Sequence, residues 1–142
     1  MRLVLDSSVA LKWFLHEADS DRALALRDGY LNQTHELLVP DVFPIEVGHA
    51  LAKAERRKIL APPLGSENLT DLLAILPRVY PSIPLLPRAY EIASAVRIGL
   101  YDCLFVALAE LERCELVTAD QKLIANLQQE FPFIIALDTF GR

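Results

Sequence analysis

Cysteine is scarce in this chain: Cys103 and Cys114 are its only two, ten residues lie between them, and neither belongs to a CxxC pair. That usage excludes a disulfide framework or a zinc site and fits reduced thiols, as expected of a cytoplasmic protein. Glycine is scarce too, with five in all, and no GxxxxGK[ST] or GxGxxG turn is present to cradle a nucleotide phosphate. The three histidines, His16, His35 and His49, show neither metal nor triad spacing and read as surface or packing residues. Nowhere do about 18 apolar residues run uninterrupted, so no membrane span is expected. A single Arg2 and the short run before Asp6 leave no room for the apolar core of a secretory signal. Positive charge is in deficit, with 14 Lys and Arg against 19 Asp and Glu, a net charge of -5 and a pI near 5.1. Such a chain has no global field for a polyanion, and any nucleic-acid role must rest on a local patch.

Apolar residues, by contrast, are plentiful. With 142 residues, 53% of them hydrophobic, the chain fits one domain over 1–142 with a sizeable core. Short apolar runs alternate with longer amphipathic segments, the pattern of a parallel sheet covered by helices. The predicted strands are 2–6, 37–40, 82–86, 115–118 and 133–137. The predicted helices are 7–15, 18–32, 41–58, 67–79, 87–98, 101–113 and 120–130. No repeat or low-complexity tract appears, and Ala61-Pro62-Pro63 reads as a helix stop and loop.

The positions of the acids carry more information than their number. In open α/β sheets ligands bind outside the carboxyl ends of the strands, where strand order reverses. Asp6 closes the first predicted strand and Asp120 lies just beyond strand 115–118, so two carboxylates meet at that edge if the strands are neighbours. Asp102 opens a helix whose CLFVALA stretch is apolar on every side, as a buried helix should be. Phe105, Val106 and Ala109 lie within about 60° of it, although an acid in a first turn is also ordinary helix-start chemistry. Glu46 sits on a seam, with Phe43, Val47, Ala50 and Ala54 to one side and Lys53 and Arg57 within about 20°. Its ordinary explanation is a border glutamate, solvated or paired with Lys53. Asp41 reads as a helix N-cap, and Ser7 and Ser8 as the cap of the helix after Asp6. Trp13 and Phe14 read as packing or interface residues.

Each acid alone has a bland explanation, but four directed at one edge would repel unless a cation compensated them. Hard oxygen ligands suit Mg²⁺ or Mn²⁺, which bind through a few carboxylates plus substrate phosphate. Such ions activate a bound water and stabilise an oxyanion leaving group, which favours phosphodiester hydrolysis. A phosphotransferase using Asp6 as nucleophile would want a second acid two residues on, where Ser8 stands. A receiver domain would want a lysine at the end of the last strand, where Asp138, Thr139 and Phe140 stand. A non-catalytic interaction module of the same fold is the remaining alternative. For a polyanionic substrate the local patch is KAERRK, in which Lys53, Arg56, Arg57 and Lys58 follow Glu46, with Lys12, Arg97 and Lys122 as further candidates. Lys53 and Arg57 are the expected pair for such a polyanion, though such a run is ordinarily a solvated face.

Taken in order, LVLDSSVALKW, VPDVFPIEVGHAL, GLYDCLFVALAE and LVTADQKL resemble the PIN-domain ribonucleases, particularly the VapC-type toxins of prokaryotic toxin-antitoxin pairs. The resemblance covers nearly the whole chain. It implies a PIN-like three-layer α/β/α fold with a five-stranded parallel sheet of order 3-2-1-4-5, and a metal-dependent endoribonuclease activity. By motif position Asp6, Glu46, Asp102 and Asp120 would be the catalytic acids, with Asp6, Asp102 and Asp120 as ligands of Mg²⁺ or Mn²⁺. Glu46 would orient or deprotonate the attacking water, and Ser8 and Thr118 would be supporting hydroxyls. The resemblance further implies an RNA substrate, a homodimer, and a small antitoxin that lays a peptide arm across the site, often with a basic side chain reaching the acids.

Overall fold

The computed structural model describes residues 1–141. Apolar runs too short for helices build its sheet. β1 (Arg2–Leu5), β2 (Glu36–Pro40), β3 (Arg78–Tyr80), β4 (Glu115–Thr118) and β5 (Ile134–Ala136) form one sheet in the order β3-β2-β1-β4-β5. Every pair is parallel. Leu3, Val4 and Leu5 are 1%, 0% and 0% exposed. A strand closed off on both faces is why β1 reads as a continuous apolar run rather than an alternating one.

Helices α1 (Ser7–Leu11), α2 (Ser20–Leu31), α3 (Phe43–Arg56), α4 (Leu64–Ala74), α5 (Leu86–Ala95), α6 (Leu100–Glu112) and α7 (Gln121–Leu127) connect and flank the strands. α6 is the interior helix. Cys103 through Ala109 are all buried, because it lies against β1, β2 and β4. Its all-round apolar surface therefore has a structural cause. Near the start of the chain Trp13 is also buried and donates its indole N–H to Ala23 O at 2.9 Å, fastening the segment after α1 to α2.

One strand is misplaced by the sequence pattern. Residues 82–86, predicted as the third strand, instead hold a 3-10 turn at Ile83–Leu85, and the edge strand is Arg78–Tyr80. Pro84 has no N–H to give a ladder and prefers the start of a helical turn. The predicted helix over 67–79 ends at Ala74 for a related reason, since Pro77 disfavours helical backbone just before it. Asp41 is likewise no N-cap. Val42 holds that position on α3, and the Asp41 carboxylate instead accepts the Ser82 amide at 3.2 Å and the Ser82 hydroxyl. That pair fixes the turn leaving β3 to the end of β2.

Candidate active site

In a parallel sheet all carboxyl ends lie along one edge, so register alone brings β1 and β4 to a common site. Leu5 pairs with Val117, and the Asp6 amide donates to Val117 O at 3.1 Å, one residue past the end of β1. The next side chains, Asp6 and Thr118, are therefore neighbours. The Thr118 hydroxyl donates to Asp6 Oδ2 at 2.9 Å and accepts the Asp120 amide at 3.0 Å. Ser8 donates to the same Asp6 oxygen at 2.5 Å and accepts the Ala119 amide at 3.0 Å. The two hydroxyls thus tie the β1 and β4 termini together through one buried carboxylate.

Asp6 is 4% exposed. Burial pushes its carboxyl above the ordinary range and Asp120 adds repulsion, while the hydrogen bonds from Ser8 and Thr118 pull the other way. Asp120 is half-buried and caps α7, its side chain accepting the amides of Lys122 and Leu123 at 3.0 and 3.2 Å. Asp102 projects half-buried from the first turn of α6. Its carboxyl is pushed up to about 6, by burial first and then by Asp6 and Asp120, with Lys122 opposing.

Glu46 comes from the first turn of α3. It forms no ion pair with Lys53; instead Ser7 Oγ donates to Glu46 Oε1 at 2.9 Å. Burial, with repulsion from Asp6 and Asp102, pushes this carboxyl up to about 7, against the pull of Ser7. Ser7 is thus no cap: Asp6 holds the N-cap position and Ser7 is the first residue of α1. Its contact with Glu46 crosses 39 residues of sequence, and only a strand ending two residues earlier hints at it.

Glu46 therefore feels the charge of Asp6 and Asp102, Asp102 that of Asp6 and Asp120, and Asp6 that of Asp120, and among the described residues none of the four is in an ion pair. A cluster of hard oxygen donors with uncompensated like charge is the chemistry that Mg²⁺ or Mn²⁺ satisfies. Among the described residues no three His, Cys, Asp or Glu side chains are grouped closely enough to hold a metal by themselves.

The expected cations fall at different places. Lys53 and Arg57 are exposed towards the far end of α3, and at 1.5 Å per residue they stand roughly 10 and 16 Å along the axis from Glu46. Among the described residues Lys122 is the one cation whose charge reaches Asp102. Lys12 is engaged with Ala18 O at 2.8 Å, and Arg97 is exposed in the loop before α6. Beside Glu46 lies a cavity of about 450 Å³ lined by Ile45, Glu46, His49 and Tyr101, which the sequence pattern did not mark.

A parallel five-stranded sheet with acids at its carboxyl edge defines the class of protein. The chain belongs to the PIN-domain family, whose profile matches residues 3–127. It is 29% identical over 133 residues to ribonuclease VapC9 of Mycobacterium tuberculosis, covering 94% of this chain and 97% of that one. Among solved structures it is similar to PAE2754 from Pyrobaculum aerophilum, with a TM-score of 0.74 and 22% identity over 98% of this chain and 85% of that one. It is also similar to VapBC2 from Rickettsia felis bound to a DNA fragment from their promoter, with a TM-score of 0.63 and 17% identity over 96% and 97% of the two chains.

Proposed function

We propose that this chain is a metal-dependent endoribonuclease, the toxin of a toxin-antitoxin pair, and that its 142 residues make one PIN domain. The observation that carries the reading is the charge coupling that links Asp6, Glu46, Asp102 and Asp120 at the carboxyl edge of the sheet, with none of them in an ion pair among the described residues and Lys122 opposing the repulsion only at Asp102. A PIN-domain relative spanning nearly the whole chain and named a ribonuclease supports it.

Asp6, Asp102 and Asp120 would hold Mg²⁺ or Mn²⁺, directly or through water. When bound, the ion supplies electrostatic stabilisation of the phosphate and of the departing oxyanion. Glu46 takes the proton of the attacking water as its oxygen bonds to phosphorus and the ester oxygen departs. A carboxylate titrating near neutrality is suited to that task, being ionised in part and basic enough to accept. Ser7 orients Glu46, while Ser8 and Thr118 hold Asp6 in place. Lys53, Arg57 and Lys122 supply the phosphate contacts that an acidic chain otherwise lacks.

The partners follow the same logic. An antitoxin arm with a basic side chain would neutralise the acids in place of the metal. The solved toxin-antitoxin relatives support such a partner. The exposed apolar residues Ile83, Leu86 and Tyr90, at 78%, 37% and 67%, offer a face for homodimer formation. No helix among the described residues is long and apolar enough to cross a membrane.

The deciding experiment is cleavage of total RNA and purified tRNA with Mg²⁺ or Mn²⁺, with EDTA and an Asp6→Asn, Asp102→Asn double variant as controls. Discrete products that vanish with chelator and with the variant are expected. No cleavage, with no metal binding by calorimetry, would instead favour a non-catalytic interaction module.

A further inference from the structure

The cavity beside Glu46 is built from chemistry that the acid cluster does not use. Tyr101 directly precedes Asp102, and its ring is 63% exposed, while Ile45 is 71% exposed. His49 is exposed one turn on from Ile45 along α3. An aromatic ring and a branched aliphatic side chain are thus held in water at the mouth of the site, with an imidazole beside them. Together they line about 450 Å³ whose remaining wall is Glu46 itself. The arrangement joins an apolar slot to the group proposed to activate water.

We propose that this cavity, with Tyr101 as its platform, receives a nucleobase of the single-stranded RNA next to the scissile phosphate. The inference rests on the ribonuclease reading and deepens it. A base offers a flat apolar face and a polar edge; aromatic side chains recognise the face by stacking, whatever the sequence. Tyr101 supplies that stacking surface and Ile45 the facing apolar wall. His49 stands where it can hydrogen-bond the base edge and so discriminate among bases. A phosphate alone would not select for this lining, because Tyr101 and Ile45 carry no charge. Continuity with Glu46 sets the distance between base and reacting phosphorus, so the cavity positions substrate rather than only attracting it. Both the carboxylate and the slot come from α3 and the start of α6, two rigid elements, which keeps that distance fixed.

The test is fluorescence anisotropy with a labelled single-stranded oligoribonucleotide, in Ca²⁺ to hold divalent charge at the acids, for the wild type and for Tyr101→Ala, Tyr101→Phe and Ile45→Ala. Removing a base-stacking ring should weaken binding by on the order of tenfold. Tyr101→Phe should keep most of the affinity, and an oligonucleotide lacking its base at the cleaved position should bind wild type and Tyr101→Ala alike. Equal affinity of wild type and Tyr101→Ala for the intact oligonucleotide overturns the proposal, as does no binding by the wild type. A fall in molar mass of Tyr101→Ala by light scattering, with RNA affinity unchanged, would assign the cavity to an interface between copies and also overturn it. Cleavage of RNA by the wild type, measured separately, distinguishes a failed base site from a failed ribonuclease reading.

Discussion

Ser7 Oγ donates to Glu46 Oε1 at 2.9 Å, joining the first residue of α1 to the first turn of α3. The bond favours the charged carboxylate and so holds down a group that burial and the neighbouring acids push up to about 7. The position of Glu46 in its titration is therefore a balance of burial and two carboxylates against one hydroxyl. Under the proposed function, Glu46 is the acid whose protonation state would decide whether a water can be activated.

Replacing Ser7 by alanine removes the stabilising side of that balance. The Glu46 pKa should rise further, by roughly half to one unit for the loss of a hydrogen bond to a half-buried charge. The acid limb of the pH profile of RNA cleavage should move towards higher pH by the same amount, with KM little changed. An unshifted profile with lowered kcat would show that Ser7 acts only on geometry.

Stability of the metal-free protein should fall as pH rises through the neutral range. Glu46 and Asp102 have folded-state values of about 7 and about 6, above their ordinary values of 4.5 and 3.8. Between those limits the folded state holds protons that the unfolded state has released, so stability declines with pH. The contribution is complete below about pH 4 and is lost as pH passes 6 to 7. Thermal unfolding in EDTA should give a higher Tm at pH 5.5 than at pH 7.5, and Glu46→Gln should flatten that difference. Added Mg²⁺ competes with the same protons and should therefore raise Tm more at pH 7.5 than at pH 5.5.

Asp41 shows where sequence and structure part. As an N-cap it would be worth about 1 kcal/mol to α3. As the partner of the Ser82 amide and hydroxyl it holds β2 to the turn after β3. Asp41→Ala should cost about 1–3 kcal/mol in urea unfolding, because it leaves a buried serine short of its acceptor. The double variant Asp41→Ala, Ser82→Ala should be less destabilised than the sum of the two single changes.

The same region explains what the sequence conceals. β1, β2 and β4 are legible because burial demands apolar runs of them, and β5 because its residues are apolar throughout although it stands at the sheet edge. β3 is three residues at the sheet edge, with Arg78 and Val79 exposed, and its composition differs little from that of a loop. The nearby Ser82-Ile83-Pro84-Leu85-Leu86 imitates a strand by composition, and only Pro84 argues otherwise. Asp6 and Asp120 are legible because strand ends in a parallel sheet share an edge. Asp102 and Glu46 need the motif, because a first-turn acid is common and nothing local reveals its distant neighbours. The cavity of Ile45, His49 and Tyr101 has no signature at all, since exposed side chains carry no burial periodicity.

The cations provide a final test, because they stand at different distances from the acids. Lys122 follows the cap residue Asp120 and opposes the rise in the Asp102 pKa, so under the proposed function its ammonium would meet the phosphate under attack. Lys53 and Arg57 lie about two and three turns beyond Glu46 along α3 and would meet phosphates remote from the bond that breaks. Neutralising Lys53 and Arg57 together should weaken RNA binding and reduce the slope of log affinity against log salt by about 1.4, at roughly 0.7 per single-strand contact. Their cleavage rate at saturating RNA should be little affected. Lys122→Ala should reduce the slope by only about 0.7 yet lower kcat, because a charge felt at the reacting phosphate contributes more to the transition state than to binding. Equal effects of the two variants on kcat would place all three cations on the same binding track and remove Lys122 from the chemistry.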